Sequence, residues 1–222
     1  MGINKKIVLS FDLDNTLINN RKGIVNSFNY ALKKYNLPEM KKITILKMIG
    51  IPLEEMFASI SNLNPSILAK AFREYYGTKG IYQSKLLPDV KKKLLELKGY
   101  KFRLGIITSK KQEMAEKIVK YLKIYSFFDF ILGETEDRKN LGKMDPKLKE
   151  ILLNQYPTNK FIIIIIGDHP KDVMLSNNLN CPFIGVLTGN HSAHQLKEYK
   201  YGDIIIIKSI KELTIDKIKS LI

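Results

Sequence analysis

The stretch IVLSFDLDNTL, residues 7–17, places two aspartates directly after an apolar run. The run IVLSF (7–11) has the composition and length of a buried strand, and Asp12 and Asp14 stand where that strand should emerge into a loop. Two carboxylates this close repel each other unless positive charge offsets them. The stretch therefore raises the question of which positive charges the two aspartates meet.

Short apolar runs recur along the chain and alternate with longer amphipathic segments. After residues 7–11 they fall at 102–107, 128–132, 161–166, 182–187 and 203–207. The run FIIIII (161–166) does not alternate between apolar and polar residues, which is typical of a strand in a parallel sheet covered by helices on both sides. The alternation predicts an α/β fold with a doubly wound, mainly parallel Rossmann-like sheet.

Helix signals fill most of the gaps between these runs. Pro88 can open one helix, residues 110–123 repeat apolar side chains on one face, and Asp145 can cap a third helix that has Pro146 in its first turn. Strand and helix signals therefore alternate through the second half of the chain.

Residues 18–86 break this alternation, because they carry helical patterns and no convincing strand. Apolar stripes with helical spacing run over residues 24–35, 53–60 and 65–75. We interpret this block as an all-helical cap inserted into the α/β core. The predicted domains are a catalytic core of residues 1–17 and 87–222 and a helical cap of residues 18–86.

Composition limits the compartment in which the protein works. The chain has 222 residues, is 45% hydrophobic and contains a single cysteine, so no disulfide can form within it. We expect no signal peptide, because Asp12 and Asp14 interrupt the only early apolar run, and the longest apolar run (161–166) is too short to span a bilayer. These features predict a cytoplasmic protein that does not bind membranes.

The formal net charge of +15 is compatible with a polyanionic partner. The lysines are nevertheless scattered over segments that read as outer helix faces, and no aromatic residues interleave with them as a single-strand binding platform would require. We therefore favour the interpretation that the lysines lie on solvated helix faces over the interpretation that they bind nucleic acid. A surplus of positive charge also suits a small anionic substrate.

Polar residues follow several of the predicted strands. In an open α/β sheet, ligands bind at the carboxyl ends of the strands, so these side chains should meet at one edge. Converging carboxylates require a cation, and hard oxygen ligands suit Mg²⁺. The candidates at this edge are Asp12, Asp14, Thr16, Thr108, Ser109, Lys110, Lys143, Asp168 and Asp172.

Four segments in this order resemble the motifs of the haloacid dehalogenase superfamily. They are FDLDNTL (11–17), IITSK (106–110), GKMDP (142–146) and IIGDHPKD (165–172). The helical insertion between the first and second motifs, together with the tail GVLTGN (185–190), resembles the phosphoglycolate phosphatase-like branch with a type 1 cap. Any one motif alone is weak, but all four in order, with the insertion at the expected place, are specific.

The resemblance implies a phosphatase with a covalent intermediate. Asp12 would attack phosphorus and become an aspartyl-phosphate, and Asp14 would protonate the leaving oxygen and then activate water. Mg²⁺ would be held by the Asp12 carboxylate, the backbone carbonyl of Asp14 and Asp168. Asp172 would act on the metal through another residue or through water.

Phosphate binding is implied for three further residues. Thr108 and Ser109 would contact the phosphate, and Lys143 would bind both the phosphate and Asp12. In this third motif Met144 stands where the superfamily commonly has proline, so Lys139 and Lys147 stay open as alternatives to Lys143.

The second aspartate separates two chemistries within the superfamily. Haloacid dehalogenases lack it, because a departing halide needs no proton, whereas an alkoxide leaving group does; Asp14 therefore favours a phosphatase. A phosphomutase acting on sugars shares the same core motifs and remains an alternative, and a non-catalytic nucleic-acid-associated protein is a more distant one. The sequence leaves the substrate open, with phosphoglycolate as one candidate, and it is compatible with a monomer or a homodimer.

The sequence also predicts roles for residues outside the four motifs and for one residue within the fourth. His169 follows the Gly-Asp pair where the superfamily often has Thr or Ser, and we favour a structural role for it. His191 and His194 are predicted to lie on the surface. In the cap, Lys47, Gly50 and Ile51 resemble part of the segment that selects the substrate, although Lys47 could equally be a solvated helix residue.

Overall fold

The computed structural model describes residues 5–136 and 142–222. The chain forms two compact units, one of Met1–Ile18 with Leu86–Ile222 and one of Asn19–Lys85. None of the helices among the described residues is long and apolar enough to cross a membrane.

The strands confirm the predicted α/β architecture. They are β1 (Lys6–Phe11), β2 (Ile18–Asn19), β3 (Lys85–Leu86), β4 (Arg103–Lys111), β5 (Phe130–Glu134), β6 (Phe161–Gly167), β7 (Phe183–Val186) and β8 (Ile204–Ile207). Six of them form one sheet in the order β5-β4-β1-β6-β7-β8, and all its neighbouring pairs are parallel. The pair β2 and β3, which the sequence does not predict, lies where the chain passes between the two units.

The helices follow the strands in alternation within the larger unit. They are α1 (Arg21–Lys34), α2 (Lys42–Met48), α3 (Leu53–Ala58), α4 (Pro65–Tyr75), α5 (Val90–Gly99), α6 (Gln112–Tyr121), α7 (Pro146–Gln155), α8 (Pro170–Asn178), α9 (Ala193–Glu198) and α10 (Ile215–Lys219). Helices α5 to α10 belong to the larger unit, and α1 to α4 belong to the smaller one.

Strand β1 lies in the middle of the sheet, between β4 and β6. Phe11 aligns with Ile106 on one side and with Ile166 on the other, so the three strands end at nearly the same level. Ile163 to Ile166 are all buried, as expected for a strand covered on both faces. Asp12 therefore leaves the sheet at its centre, with strand ends on either side.

Two local features differ from the sequence prediction. The helix expected to open at Pro88 begins at Val90, because Asp89 takes a left-handed conformation (φ 62°) that interrupts the chain. Strand β4 does not end at Ile107 but continues to Lys111, after a shift in its register with β5. Thr108, Ser109 and Lys110 therefore lie in an irregular strand end rather than in a free loop.

The start of α7 agrees with its sequence signals. The side chain of Asp145 accepts a hydrogen bond from the backbone N–H of Lys147, and Pro146 occupies the first helical turn. This cap fixes the helix directly after the turn that carries Lys143, and so it anchors one segment of the site.

The smaller unit has its own apolar core, built by the four helices α1 to α4. Phe28 of α1 stacks on Phe57 of α3 with 4.3 Å between ring centroids, and both side chains are fully buried. Helix α4 begins as the sequence predicts, with Asn64 accepting a hydrogen bond from Ser66 N–H. Helix α2 is an addition to the three predicted helices.

Helix α1 approaches residue 80 so closely that Gly23 has no room for a side chain. A Cβ on Gly23 would lie 2.2 Å from the carbonyl oxygen of Gly80, which is backbone and cannot rotate away. A Cβ on Gly99, by contrast, would meet nothing within 4 Å.

We expect Gly23→Ala to destabilise the protein by about 1–3 kcal/mol, since the overpacking outweighs the helix preference of alanine. Gly99→Ala is the matched control and should be neutral or stabilising. Urea denaturation midpoints of the two variants and the wild type provide the measurement. Equal midpoints for Gly23→Ala and the wild type would contradict the close approach of α1 to residue 80.

Candidate active site

The loop after β1 is held in a fixed shape by backbone hydrogen bonds. The N–H of Asp12 donates to the carbonyl of Ile166 at 2.8 Å, and Asn15 takes a left-handed conformation (φ 57°) that turns the chain. The N–H groups of Leu17 and Ile18 both donate to the carbonyl of Leu13 at 3.0 Å. The two aspartates are therefore presented by a tight, ordered turn.

A buried lysine joins two carboxylates at the centre of the site. Lys143 comes from a single 3-10 turn, Gly142–Met144, and its Nζ donates to Oδ1 of Asp12 and to Oδ1 of Asp172. All three residues are buried. Burial alone would lower the pKa of Lys143, but the charges of the two aspartates outweigh it and raise that pKa well above its ordinary value.

The structure thus brings Lys143, rather than Lys147, to the first aspartate. Lys147 is exposed on α7, where its backbone takes part in the helix cap. Lys139 lies outside the described residues.

Asp168 stands beside this cluster at the end of β6. Its Oδ1 accepts a hydrogen bond from the hydroxyl of Thr16 at 3.1 Å, and the residue is buried. A Cβ on Gly189 would lie 1.9 Å from Oδ2 of Asp168, so the loop after β7 closes against this carboxylate. The hydroxyl of Thr188 donates to the carbonyl of Asn15 and ties that loop to the first one.

The carboxylates exceed the positive charge that the described residues supply to them. Burial, together with the charge of Asp172, raises the pKa of Asp168 to about 7. Burial also raises the pKa of Asp12 well above its ordinary value, although Lys143 opposes this shift. Both aspartates are therefore held where the ionised form needs further positive charge.

A divalent cation with oxygen ligands fits this arrangement. One carboxylate oxygen from each of Asp12, Asp168 and Asp172 lies within 4.8 Å of the other two. Oδ1 of Asp172 accepts from Lys143, and its Oδ2 accepts from the backbone N–H of His169 at 3.1 Å. Because protein donors already use both oxygens of Asp172, Asp12 and Asp168 are the better direct ligands.

Asp14 meets a second lysine. Nζ of Lys110 lies 3.0 Å from Oδ2 of Asp14, and Oδ1 of Asp14 is buried without a hydrogen-bond partner among the described residues. The hydroxyl oxygen of Thr108, which is buried, accepts from the N–H of Lys110 at 3.2 Å. Ser109, the next residue, is exposed. Each of the two neighbouring aspartates thus meets its own lysine: Asp12 pairs with Lys143, and Asp14 pairs with Lys110.

The histidines lie next to the site. The Nδ1 of His169 accepts the N–H of Lys171 at 3.0 Å and caps helix α8. His191, predicted to lie on the surface, is half-buried, and its ring meets that of His169 edge-on with 4.5 Å between centroids. Burial lowers the pKa of His169 to about 4. His194 is exposed.

The remaining predicted site residues lie in the smaller unit. Lys47 is exposed on α2, Gly50 has a positive φ of 114°, and Ile51 is exposed. Gly50 and Ile51 lie in the turn between α2 and α3, and Lys47 lies near the end of α2.

Gly189 and the ion pair of Lys110 are the features that the sequence reasoning missed. A signal for Gly189 was present, because the loop after residues 182–187 also follows a predicted strand and should reach the same edge. For Lys110 the sequence placed the residue at this edge but gave it no partner.

A comparison of the chain with known protein families agrees with this site. Residues 9–186 match the model of the haloacid dehalogenase-like hydrolases. Since the match covers most of the 222 residues, the chain belongs to that family, and the predicted family and enzyme class are confirmed.

Individual relatives extend the match to nearly the whole chain. Pyrophosphatase PpaX of Bacillus velezensis is 28% identical over 208 residues, which cover 90% of this chain and 95% of the relative. A phosphoglycolate phosphatase of Photorhabdus laumondii is 25% identical over 209 residues, covering 90% and 85% of the two chains. A solved haloacid dehalogenase-like hydrolase of Streptococcus pneumoniae aligns with a TM-score of 0.80 at 29% identity, covering 93% and 96%. The chain is thus an enzyme of the phosphatase type within this family.

We expect Gly189→Ala to lower kcat by about 10²-fold, because the added methyl group displaces the carboxylate of Asp168. Steady-state release of phosphate measures the effect, with Gly99→Ala as a control that adds the same methyl group to open space. Full activity in Gly189→Ala would show that the position of Asp168 does not matter.

Proposed function

We propose that the protein is a Mg²⁺-dependent phosphomonoester hydrolase that acts on a small phosphorylated metabolite through an aspartyl-phosphate on Asp12. The observation that carries this proposal is the buried lysine between Asp12 and Asp172, with Asp168 beside it. A cluster of this kind offers a nucleophile, a fixed positive charge and a cation site within one small volume.

The metal would be held by the carboxylates of Asp12 and Asp168 and by the backbone carbonyl of Asp14. Asp172 would act indirectly, through Lys143 and the N-terminus of α8. A bound Mg²⁺ would supply positive charge for the phosphoryl oxygens during transfer. Asp12 and Asp168 suit this role because burial and neighbouring carboxylates raise the pKa of both, so the positive charge of a cation would stabilise their ionised forms.

The first step transfers the phosphoryl group to the protein. A carboxylate oxygen of Asp12 forms a bond to phosphorus while the bond from phosphorus to the leaving oxygen breaks. The carboxyl group of Asp14 gives its proton to that leaving oxygen, so that the product departs as an alcohol. Lys143, already on Oδ1 of Asp12, holds the nucleophile in place, and its charge favours the phosphoryl group.

The second step returns the protein to its starting state. The carboxylate of Asp14 takes a proton from water as the water oxygen attacks phosphorus. The bond between phosphorus and the Asp12 oxygen breaks, inorganic phosphate leaves, and both carboxyl groups regain their initial forms. The buried hydroxyl of Thr108, with Ser109 beside it, would bind the phosphoryl oxygens in both steps.

The identity of the leaving group is a separate matter. We infer that residues 19–85 act as a cap that selects it, with Lys47, Gly50 and Ile51 as candidate contacts. The names of the relatives point to phosphoglycolate and pyrophosphate as the first compounds to test. The net charge of +15 favours such small anions over neutral compounds.

We expect the purified protein to release phosphate from a panel of phosphorylated metabolites with Mg²⁺, and to lose this activity with a chelator. Asp12→Asn should lower kcat by about 10³-fold or more, because an amide cannot serve as the nucleophile. Asp216→Asn, which changes an exposed aspartate on α10, is the matched control. If Asp12→Asn turns over as fast as the wild type, Asp12 is not the nucleophile; a bisphosphorylated sugar in place of free phosphate would identify a mutase.

Asp14→Asn should slow hydrolysis by about 10²- to 10⁴-fold for alkyl phosphates, whose leaving groups need a proton. The loss should be smaller for p-nitrophenyl phosphate, because nitrophenolate departs without one. The slope of log kcat/KM against leaving-group pKa measures this difference. A slope equal to that of the wild type would argue against Asp14 as the acid.

A further inference from the structure

Thr188 contacts the site, yet the proposed mechanism gives it no role. It lies in the loop after β7, where the N–H of Leu187 donates to the carbonyl of Ile207 at 3.1 Å and fixes the start of that loop. The hydroxyl of Thr188 donates to the backbone carbonyl of Asn15, 173 residues away in the chain. The loop after β7 is thus bonded to the turn that carries the two aspartates.

The turn at Asn15 needs such support, because its backbone conformation is uncommon. The residue has a φ of 57°, in the left-handed region that is disfavoured for residues other than glycine, although asparagine tolerates it better than most. Such a conformation persists where the surrounding structure fixes it. The N–H of Asn15 donates to the carbonyl of Ile18 at 2.8 Å, and its carbonyl accepts from Thr188. Both peptide groups that flank Asn15 are therefore held, one within the turn and the other by Thr188.

Two of the proposed metal ligands depend on this turn. The peptide group that contains the N–H of Asn15 also contains the backbone carbonyl of Asp14, which is one of those ligands. On the other side of the turn, the hydroxyl of Thr16 donates to Oδ1 of Asp168 at 3.1 Å. A change in the backbone of Asn15 would therefore move the carbonyl of one ligand and the partner of another. Mg²⁺ requires a nearly ideal octahedral arrangement, so small displacements of its ligands weaken its binding.

The same loop also contacts one of these ligands directly. The residue after Thr188 is Gly189, and a Cβ at that position would lie 1.9 Å from Oδ2 of Asp168. The carboxylate of Asp168 is thus enclosed from two sides, by the hydroxyl of Thr16 at one oxygen and by the backbone of Gly189 at the other. Residues 188 and 189 therefore constrain both the turn and the carboxylate.

We propose that Thr188 is a positioning residue for the cation, acting through the turn at Asn15. Its hydroxyl keeps the backbone carbonyl of Asp14 and the carboxylate of Asp168 in the places that Mg²⁺ requires. This inference rests on the proposed function, since it names a residue that supports the metal of the same site. Groups that orient metal ligands without touching the metal change its affinity by about 10- to 100-fold.

The test measures Mg²⁺ binding by calorimetry on the protein without substrate. Thr188→Val keeps the shape of the side chain but lacks the hydroxyl, and it should raise the Kd of Mg²⁺ by about 10-fold or more. Thr188→Ser keeps the hydroxyl and should bind Mg²⁺ nearly as the wild type does. Thr158→Val makes the same change in an exposed turn before the amino end of β6, and it should leave the Kd unchanged.

The dependence of phosphate release on Mg²⁺ provides a second measurement. Thr188→Val should need about 10-fold more Mg²⁺ for its half-maximal rate, whereas saturating Mg²⁺ should restore most of the wild-type rate. Thr188→Ala also removes the hydroxyl, and it takes the place of Thr188→Val if that variant does not fold.

The outcomes distinguish the inference from the function on which it rests. An unchanged Kd in Thr188→Val, or an equal loss in Thr188→Val and Thr188→Ser, would overturn the role of the hydroxyl. A rate that falls by the same factor at every Mg²⁺ concentration would also overturn it. A wild type that binds Mg²⁺ but releases no phosphate from any substrate would overturn the proposed function instead.

Discussion

The contact on which the site depends is the ammonium group of Lys143, held between the carboxylates of Asp12 and Asp172 away from solvent. An isolated buried ion costs several kcal/mol, so none of these side chains could occupy its place without the others. Asp12 and Lys143 are 131 residues apart in the chain, and they meet only when β1 has been inserted between β4 and β6. Formation of the sheet and assembly of the site are therefore one event.

The single positive charge of Lys143 does not neutralise the carboxylates around it, and this excess of negative charge bears on the function. Burial and neighbouring carboxylates raise the pKa of both Asp12 and Asp168, because the ionised forms lack sufficient positive charge around them. A fold selected for stability alone would replace such groups with apolar side chains. Their presence is best explained by a ligand that brings positive charge, and the binding of that ligand would in turn stabilise the folded state.

The sequence predicts two kinds of feature well: elements whose buried residues recur at a regular spacing, and residues whose position follows from the order of strands along the chain. Buried parallel strands read as continuous apolar runs, and polar residues after these runs must meet at one edge of the sheet. Helix α2 was missed because Ile45 is its only buried residue, which leaves no apolar stripe to recognise. The predicted start of α5 was wrong because Asp89 has a left-handed conformation. That conformation depends on the surroundings of the residue, which the local sequence does not show. The ion pair of Lys110 could not be predicted either, since residue order gives no distances between side chains.

Burial differs across the site. The motifs determine the reaction at phosphorus but leave the choice of leaving group open, and this division follows the difference in burial. Asp172 and Lys143 are almost fully buried, whereas the side chain of Asp14 is 32% exposed. In the proposed mechanism the buried groups act at phosphorus, and any change to them leaves an unpaired charge in the interior. In the proposed mechanism the leaving group meets Asp14, whose partly exposed side chain can adapt to a new partner at lower cost. One family can therefore keep a single reaction at phosphorus while its members differ in the compound from which the phosphoryl group is taken.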